Sequence, residues 1–194
     1  NWNVWCNFNV MQCFLLLERD PERLTEAVWK SMNCVDAFLR VSHEDGACEE
    51  GPSYWGHAAG KMLDYLDLIC RATGGKVNIF DLPRIKAMGE YIVNSQIGGE
   101  QHWVVNFADA TAQYLDDLTD LVYRYGTYTH SQAMLDYAGT LKAIYPVPHV
   151  AGTDIWRAMN GLQNYKQIVI PAAPAKGKNV CYHQTEFLYS RQGD

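Results

Sequence analysis

Long apolar runs are missing from this chain. None approaches the roughly 20 residues of a bilayer-spanning helix, so no stretch of the 194 residues reads as a membrane span. A basic cluster is missing too. Lys and Arg number 16 against 22 Asp and Glu, for a formal net charge of −6. Sequence-independent binding of nucleic acid needs a basic face, so no nucleic-acid partner is expected. The six cysteines (Cys6, Cys13, Cys34, Cys48, Cys70 and Cys181) include no CxxC pair. That removes the usual zinc spacings, and a disulfide framework is not expected in a domain of this size. The thiols are expected to be buried and to act as small hydrophobes. His43, His130, His149 and His183 show no ligand spacing, so neither a metal nor another cofactor is called for. A strict heptad is absent as well, which excludes a coiled coil.

What is present is enough apolar material to build a core. Hydrophobic residues make up 48% of the chain, too many for wholesale disorder and sufficient for one globular domain. Their dominant period is helical. A first helix is expected over about 4–18. Asp20 followed by Pro21 reads as an N-cap with proline at the first helical position. The helix behind it carries Leu24, Val28, Met32, Val35 and Leu39 at steps of three or four and ends near Ser42. Pro52 and Ser53 open a third helix, with Ala58, Met62, Leu66 and Ile69 on one face, stopped by Gly74 and Gly75. Pro83 starts a fourth, with Ile85, Met88 and Ile92 inward, expected to run to Gly98 and Gly99. After a non-helical stretch, QHWVVNFADA, come helices at about 112–125, 131–145 and 154–164.

The expected fold class is therefore all-α, built of antiparallel helix hairpins. Such hairpins either stack as a solenoid or close into an α/α toroid. Residues 1–166 form the helical part and 167–194 a proline-rich linker that turns strand-like. The chain opens at Asn1 inside an aromatic amphipathic stretch and closes on CYHQTEFLYSRQGD, which alternates like one strand without a partner. It is read as an internal piece of a longer protein.

Three segments carry candidate chemistry. In EEGPSYWGHAAGKMLDY, the glycine and proline set Tyr54 in the first turn of a helix. There it either packs at the helix start or aims its phenol at a ligand over the N-terminus, where amides and dipole favour anions. His57, three positions on, is either a second acid–base group or a hydrogen-bonded packing residue. In NWNVWCNFN, Asn1, Trp2 and Asn3 crowd a helix start. The asparagines either cap the helix or donate to a carboxylate, and the tryptophan offers a face for a sugar ring. In QHWVVNFADA, Trp103, Asn106 and Asp109 lie off regular helix. Loops of this kind often carry function, although Asp109 can equally cap the next helix.

NWNVWCN, then DGACEEGPSYWGHA, then VVNFADA, in this order and spacing, resemble the helical domain of heparinase II/III-like polysaccharide lyases. YHQTEFLYSRQGD is similar to the point where those enzymes enter a β-sandwich. The resemblance implies an incomplete α/α toroid leading to an antiparallel β-sandwich that lies beyond this segment, with the active site between the two. It implies β-elimination on acidic, uronate-containing poly- or oligosaccharides such as heparan sulfate or alginate, and a periplasmic or secreted location. Residue by residue, Asn1 would neutralise the uronate carboxylate, with Asn3 as the nearby alternative, and Tyr54 would be base, acid or both. Trp2, His57, Trp103, Asn106 and Asp109 would line the substrate site. Where some relatives carry His directly after that asparagine, this chain carries Trp2. The sandwich histidine that completes the site has no match here.

The chemistry agrees with the residue types. A proton beside an ionised carboxylate is very weakly acidic, and hydrogen bonds to that carboxylate stabilise the charge that builds as it leaves. A phenol titrating near pH ~10 needs a helix N-terminus or a nearby cation to act as a base at neutral pH. For an anionic substrate the cations expected to help are Lys30, Arg40, Arg84 or Lys86, or residues of the β-sandwich beyond this segment. Two other readings stand beside this one. A non-catalytic glycan-binding module would hold sugar on the same Trp and Tyr face. A toroid hydrolase would need two carboxylates facing each other across the scissile bond, whereas Glu49 and Glu50 are neighbours in a loop.

Overall fold

The computed structural model describes residues 2–98, 102–113, 117–147 and 154–192. These are predominantly α-helical, with only short antiparallel strand pairs. Helix α1 (Trp2–Leu17) buries Val4, Phe8 and Met11 and leaves Trp2, Val10, Leu16 and Leu17 outside. It packs against α2 (Pro21–Val41) and α4 (Ala59–Ala72). Asp20 caps α2 as its sequence demands: its carboxylate accepts from the Glu22 amide at 2.9 Å and the Arg23 amide at 3.4 Å.

The helix expected to run unbroken from Pro52 to Gly74 is two helices. A single turn, α3 (Pro52–Trp55), is followed by a break over 56–58, and α4 starts at Ala59. In the break the His57 and Ala58 amides both return to the Tyr54 carbonyl, at 2.9 and 3.1 Å. Ala58 takes φ −96°, ψ −89°, outside helical space. α4 is then buried on every side from Ala59 to Ile69, as the central helix of the fold.

Helix α5 (Pro83–Ser95) buries Ile85, Met88 and Ile92 as expected but stops three residues before Gly98. Gln96–Gly98 is instead strand β1, antiparallel to β2 (Trp103–Val104). The Arg191 guanidinium takes up the Asn94 and Gln96 carbonyls, substituting for the hydrogen bonds that a longer helix would have given them. Helix α6 (Thr119–Tyr128) begins later than residue 112, because 111–113 are drawn back to β2: the Val104 amide donates to the Ala112 carbonyl at 2.9 Å. Asp109 therefore caps nothing. Asp117, one residue before the Leu118 N-cap, accepts from the Thr119 amide at 2.9 Å. Helices α7 (Gln132–Ile144) and α8 (Ile155–Asn164) match expectation closely.

The C-terminal segment is not a single unpaired strand. β3 (Val180–Tyr182) and β4 (Phe187–Tyr189) form their own antiparallel hairpin. Tyr182 packs edge-on against Tyr91 and Tyr189, and Phe187 stacks on Phe107 with ring centres 4.0 Å apart. The linker before it crosses α7 so closely that a Cβ on Gly139 would stand 2.1 Å from the Val169 carbonyl oxygen.

The cysteines depart from the expectation of burial. Cys6, Cys13, Cys34 and Cys181 are exposed, Cys70 is half-buried and only Cys48 is buried; all six are free thiols. Cys6 and Cys13 are a heptad apart, off the Val4–Phe8–Met11 stripe that faces the core. No helix among the described residues is long and apolar enough to cross a membrane.

The core around α4 is charged as well as apolar. Asp64 is 0% exposed and meets Arg124 Nη2 at 2.6 Å, Arg157 Nε at 2.7 Å and Lys61 Nζ at 3.4 Å. Asp67, equally buried, meets Arg71 Nε at 2.6 Å and Arg124 Nη1 at 3.4 Å and accepts from the Tyr128 hydroxyl. Arg124 also pairs with Asp120 at 2.8 Å, and Lys61 pairs with Asp154. Burial alone would push the Asp64 carboxyl up. The guanidiniums of Arg157 and Arg124 and the Lys61 ammonium outweigh it and hold Asp64 far below the usual carboxylate range.

Removing one partner of a buried pair strands the other's charge, so Asp64→Asn should lose on the order of 3–5 kcal/mol in urea unfolding at neutral pH. Because the folded pKa of Asp64 is depressed, its stabilisation is complete above the unfolded value near pH ~4 and is lost as pH falls below it. The Asn variant should therefore lose stability less steeply on acidification, and an equal slope would exclude Asp64 from the acid transition. Burial pushes the Cys48 thiol up to about 11. A thiol reagent should label four cysteines promptly at mildly alkaline pH and reach Cys48 only as the protein unfolds.

Candidate functional site

Tyr54 is positioned by backbone constraints at both ends of its short helix. Gly51, immediately before it, has φ +79° and ψ −179°, a conformation that side chains with a Cβ avoid. A Cβ there would also stand 2.7 Å from Ala110 Cβ and 2.8 Å from the Phe107 carbonyl oxygen. The close approach brings the VVNFADA loop against the EGPSY turn. Ser53 Oγ secures it, accepting from the Thr111 amide at 2.9 Å. Behind Tyr54, the break over 56–58 turns His57 outward. Tyr54 is half-buried and His57 exposed.

The first motif arrives from the other side. The His57 ring stands edge-on to Trp5, centroids 4.7 Å apart, and to Tyr54 at 5.5 Å. Trp5 in turn meets Trp2 at 6.4 Å. Trp2 is 72% exposed, so the result is a strip of rings from the start of α1 to Tyr54, open at its outer end. Beneath Trp5 lies Lys61, its ammonium 4.8 Å from the Trp5 ring centre and 4.3 Å from that of Phe8. Burial pulls the Lys61 ammonium down from its ordinary value, against the pull of Asp64.

Among the other residues expected at the site, Asn1 lies outside the described residues. Asn3 is turned to α2, where its amide donates to the Cys34 carbonyl at 3.0 Å, while its own carbonyl and side-chain oxygens accept from Asn7. Trp103, Asn106 and Asp109 carry exposed side chains on the loop and strand that the Gly51 and Ser53 contacts tether.

The basic residues expected to serve an anion are engaged elsewhere. Lys30 pairs with Glu26, Arg40 with Asp36 and Arg84 with Glu44, while Lys86 donates to the His130 carbonyl. The cations that do approach the strip are Lys61 and Arg157. Their signal in the sequence is the charge at 61, 64 and 67 interrupting an otherwise apolar helix. Glu49 is exposed and paired with His43 at 2.7 Å, so it does not face a second carboxylate across a cleft. His149 lies outside the described residues, and His183 Nδ1 stands 3.8 Å from Cys181 Sγ. Among the described residues no group of three His, Cys, Asp or Glu side chains converges as a metal site would require.

The chain matches no protein-family model and no curated protein. The site is accordingly read from its own geometry. Gly51→Ala should cost about 1–3 kcal/mol from the forced backbone alone, and should loosen the 105–111 loop. Thermal unfolding together with amide exchange at Thr111 checks both; unchanged exchange there would separate the loop from the turn.

Proposed function

We propose that this chain is the helical part of a polysaccharide lyase that cleaves acidic, uronate-containing glycans by β-elimination, its hairpins forming an incomplete α/α toroid. The observation that carries the proposal is the meeting of Tyr54, His57, Trp5 and Trp2 in one open strip. It is supported by the docking of the third motif against Gly51 and Ser53.

In this reading the sugar ring lies on the tryptophan faces, with the proton alpha to its carboxylate toward the Tyr54 phenol. Tyr54, deprotonated, takes that proton and becomes the neutral phenol, the bond from the adjacent carbon to the glycosidic oxygen breaks, and a carbon–carbon double bond remains. The same phenol can return the proton to the departing oxygen if both lie on one face. Asn1 would donate to the carboxylate as charge builds on it. Asn3 is less suited to that task, since its amide is engaged with Cys34. His57 edges the strip as a donor or acceptor for sugar hydroxyls. The resemblance adds a histidine from a β-sandwich of the same parent chain, and a periplasmic or secreted setting.

The test is incubation of the full-length protein with heparan sulfate, alginate and related uronate polymers, following absorbance of the conjugated product. Tyr54→Phe should lower the rate by about 10²–10⁴-fold. A variant as fast as wild type would remove Tyr54 from the reaction. Glycan binding without unsaturated product from wild type would replace the lyase by a binding module. Cleavage without a new double bond would indicate a hydrolase.

A further inference from the structure

Arg157 makes two kinds of contact at once. From α8, its Nε donates to buried Asp64 at 2.7 Å, and its Nη2 donates to the Gly56 carbonyl at 2.6 Å. Gly56 is the first residue of the break that separates α3 from α4. Its carbonyl is freed from the helical ladder where the chain turns His57 outward, and an interrupted ladder needs an outside donor when buried. Gly60 makes room for the guanidinium, while Gly56 leaves only ordinary contact with it. A Cβ on Gly60 would stand 3.1 Å from Nη2, and one on Gly56 would stand 3.7 Å from Nη1. The guanidinium Nε also stands 3.6 Å from the Asp154 carboxylate, whose other oxygen caps α8 by accepting from the Arg157 backbone amide at 3.2 Å.

We infer that Arg157 is a positioning residue for the candidate site: by clamping the Gly56 carbonyl onto the buried Asp64, it sets the break that presents His57 and Tyr54 to the strip. The Asp64 half of the contact is shared with Arg124 and Lys61. The Gly56 half couples α8 to the turn after Tyr54, across 101 residues of sequence. A planar fork serves the carboxylate and the carbonyl from two separate nitrogens, a geometry that the single nitrogen of an ammonium or an amide does not reproduce. Only the kinetic consequence rests on the lyase reading; the placement of His57 does not.

The experiment uses the ring-proton NMR resonances of His57, which the Trp5 and Tyr54 rings displace by their proximity, together with urea unfolding. Arg157→Lys retains a charge for Asp64 and loses the Gly56 clamp. It should unfold cooperatively, with the His57 resonances moved toward those of an unstructured histidine. Should the Lys variant fail to fold, Arg157→Gln decides. It keeps a hydrogen bond to Asp64, also loses the clamp, and should move His57 likewise. Arg71→Lys is the control: it alters the same charge network at Asp67 without touching the turn, and should leave His57 in place. His57 resonances unchanged in folded Arg157 variants, or moved equally by Arg71→Lys, would overturn the inference. If the full-length protein proves to be a lyase, Arg157→Lys should lower kcat by about ten- to a hundredfold with KM little changed. If it does not, the NMR result still stands or falls alone.

Discussion

A single carboxylate without access to water governs this fold. Asp64 sits in the middle of a helix buried on all sides, where an unpaired charge would cost several kcal/mol. Its partners come from three places: Lys61 one turn earlier on α4, Arg124 on α6 and Arg157 on α8. Around them Asp67, Asp120 and Asp154 balance the remaining cations, Arg71 included, so four positive charges face four negative ones. Apolar packing alone would tolerate α6 or α8 sliding along α4. The ion pairs would not, because a slipped register leaves charges buried and unmatched. The network thus contributes more to the choice of one arrangement than to total stability, for which a well-packed apolar core can do as well.

The network does not stop at the core. Lys61 reaches Trp5 and Phe8 of α1, and Arg157 reaches the Gly56 carbonyl. Both therefore end beneath the ring strip. A site made of exposed and half-buried rings, carried by one short helix, the turn after it and one helix start, has little rigidity of its own. Here it stands on the buried ion-pair network through Lys61 and Arg157, the kind of support a candidate binding surface needs to hold its geometry. The tail contributes from the opposite side. Arg191 closes the end of α5, and Phe187 packs on Phe107 in the loop that Gly51 admits.

Much of the helical layout was legible in the sequence, because local chemistry decided it. Asp20–Pro21, Pro83 and the apolar spacing of α2 and α5 act within a few residues of themselves. What was not legible depends on distant partners. The break after Trp55 follows from Arg157, roughly a hundred residues on, and the early end of α5 from Arg191. The late start of α6 follows from pairing with β2. His57 and the tryptophans of the first motif stood out in the sequence as candidates, but their mutual contact, Trp5 against His57, depends on how α1 packs on α4 and could not be read from spacing. The exposed cysteines were misjudged for a related reason: helical membership does not say which face a residue occupies until the neighbours of α1 and α2 are known.

The acidity of the chain, awkward for an anionic glycan, takes on a specific meaning in this setting. The cations nearest the strip are already committed to aspartates, so they supply shape and rigidity more than net positive potential. Long-range attraction of a polyanion would be weak at such a surface and further screened by salt. Recognition would then fall to ring faces, a phenol and neutral amide donors acting at contact distance. Such groups fit β-elimination well. On the proposed lyase reading, a neutral hydrogen bond that strengthens as charge builds on the carboxylate would favour the transition state over the ground state.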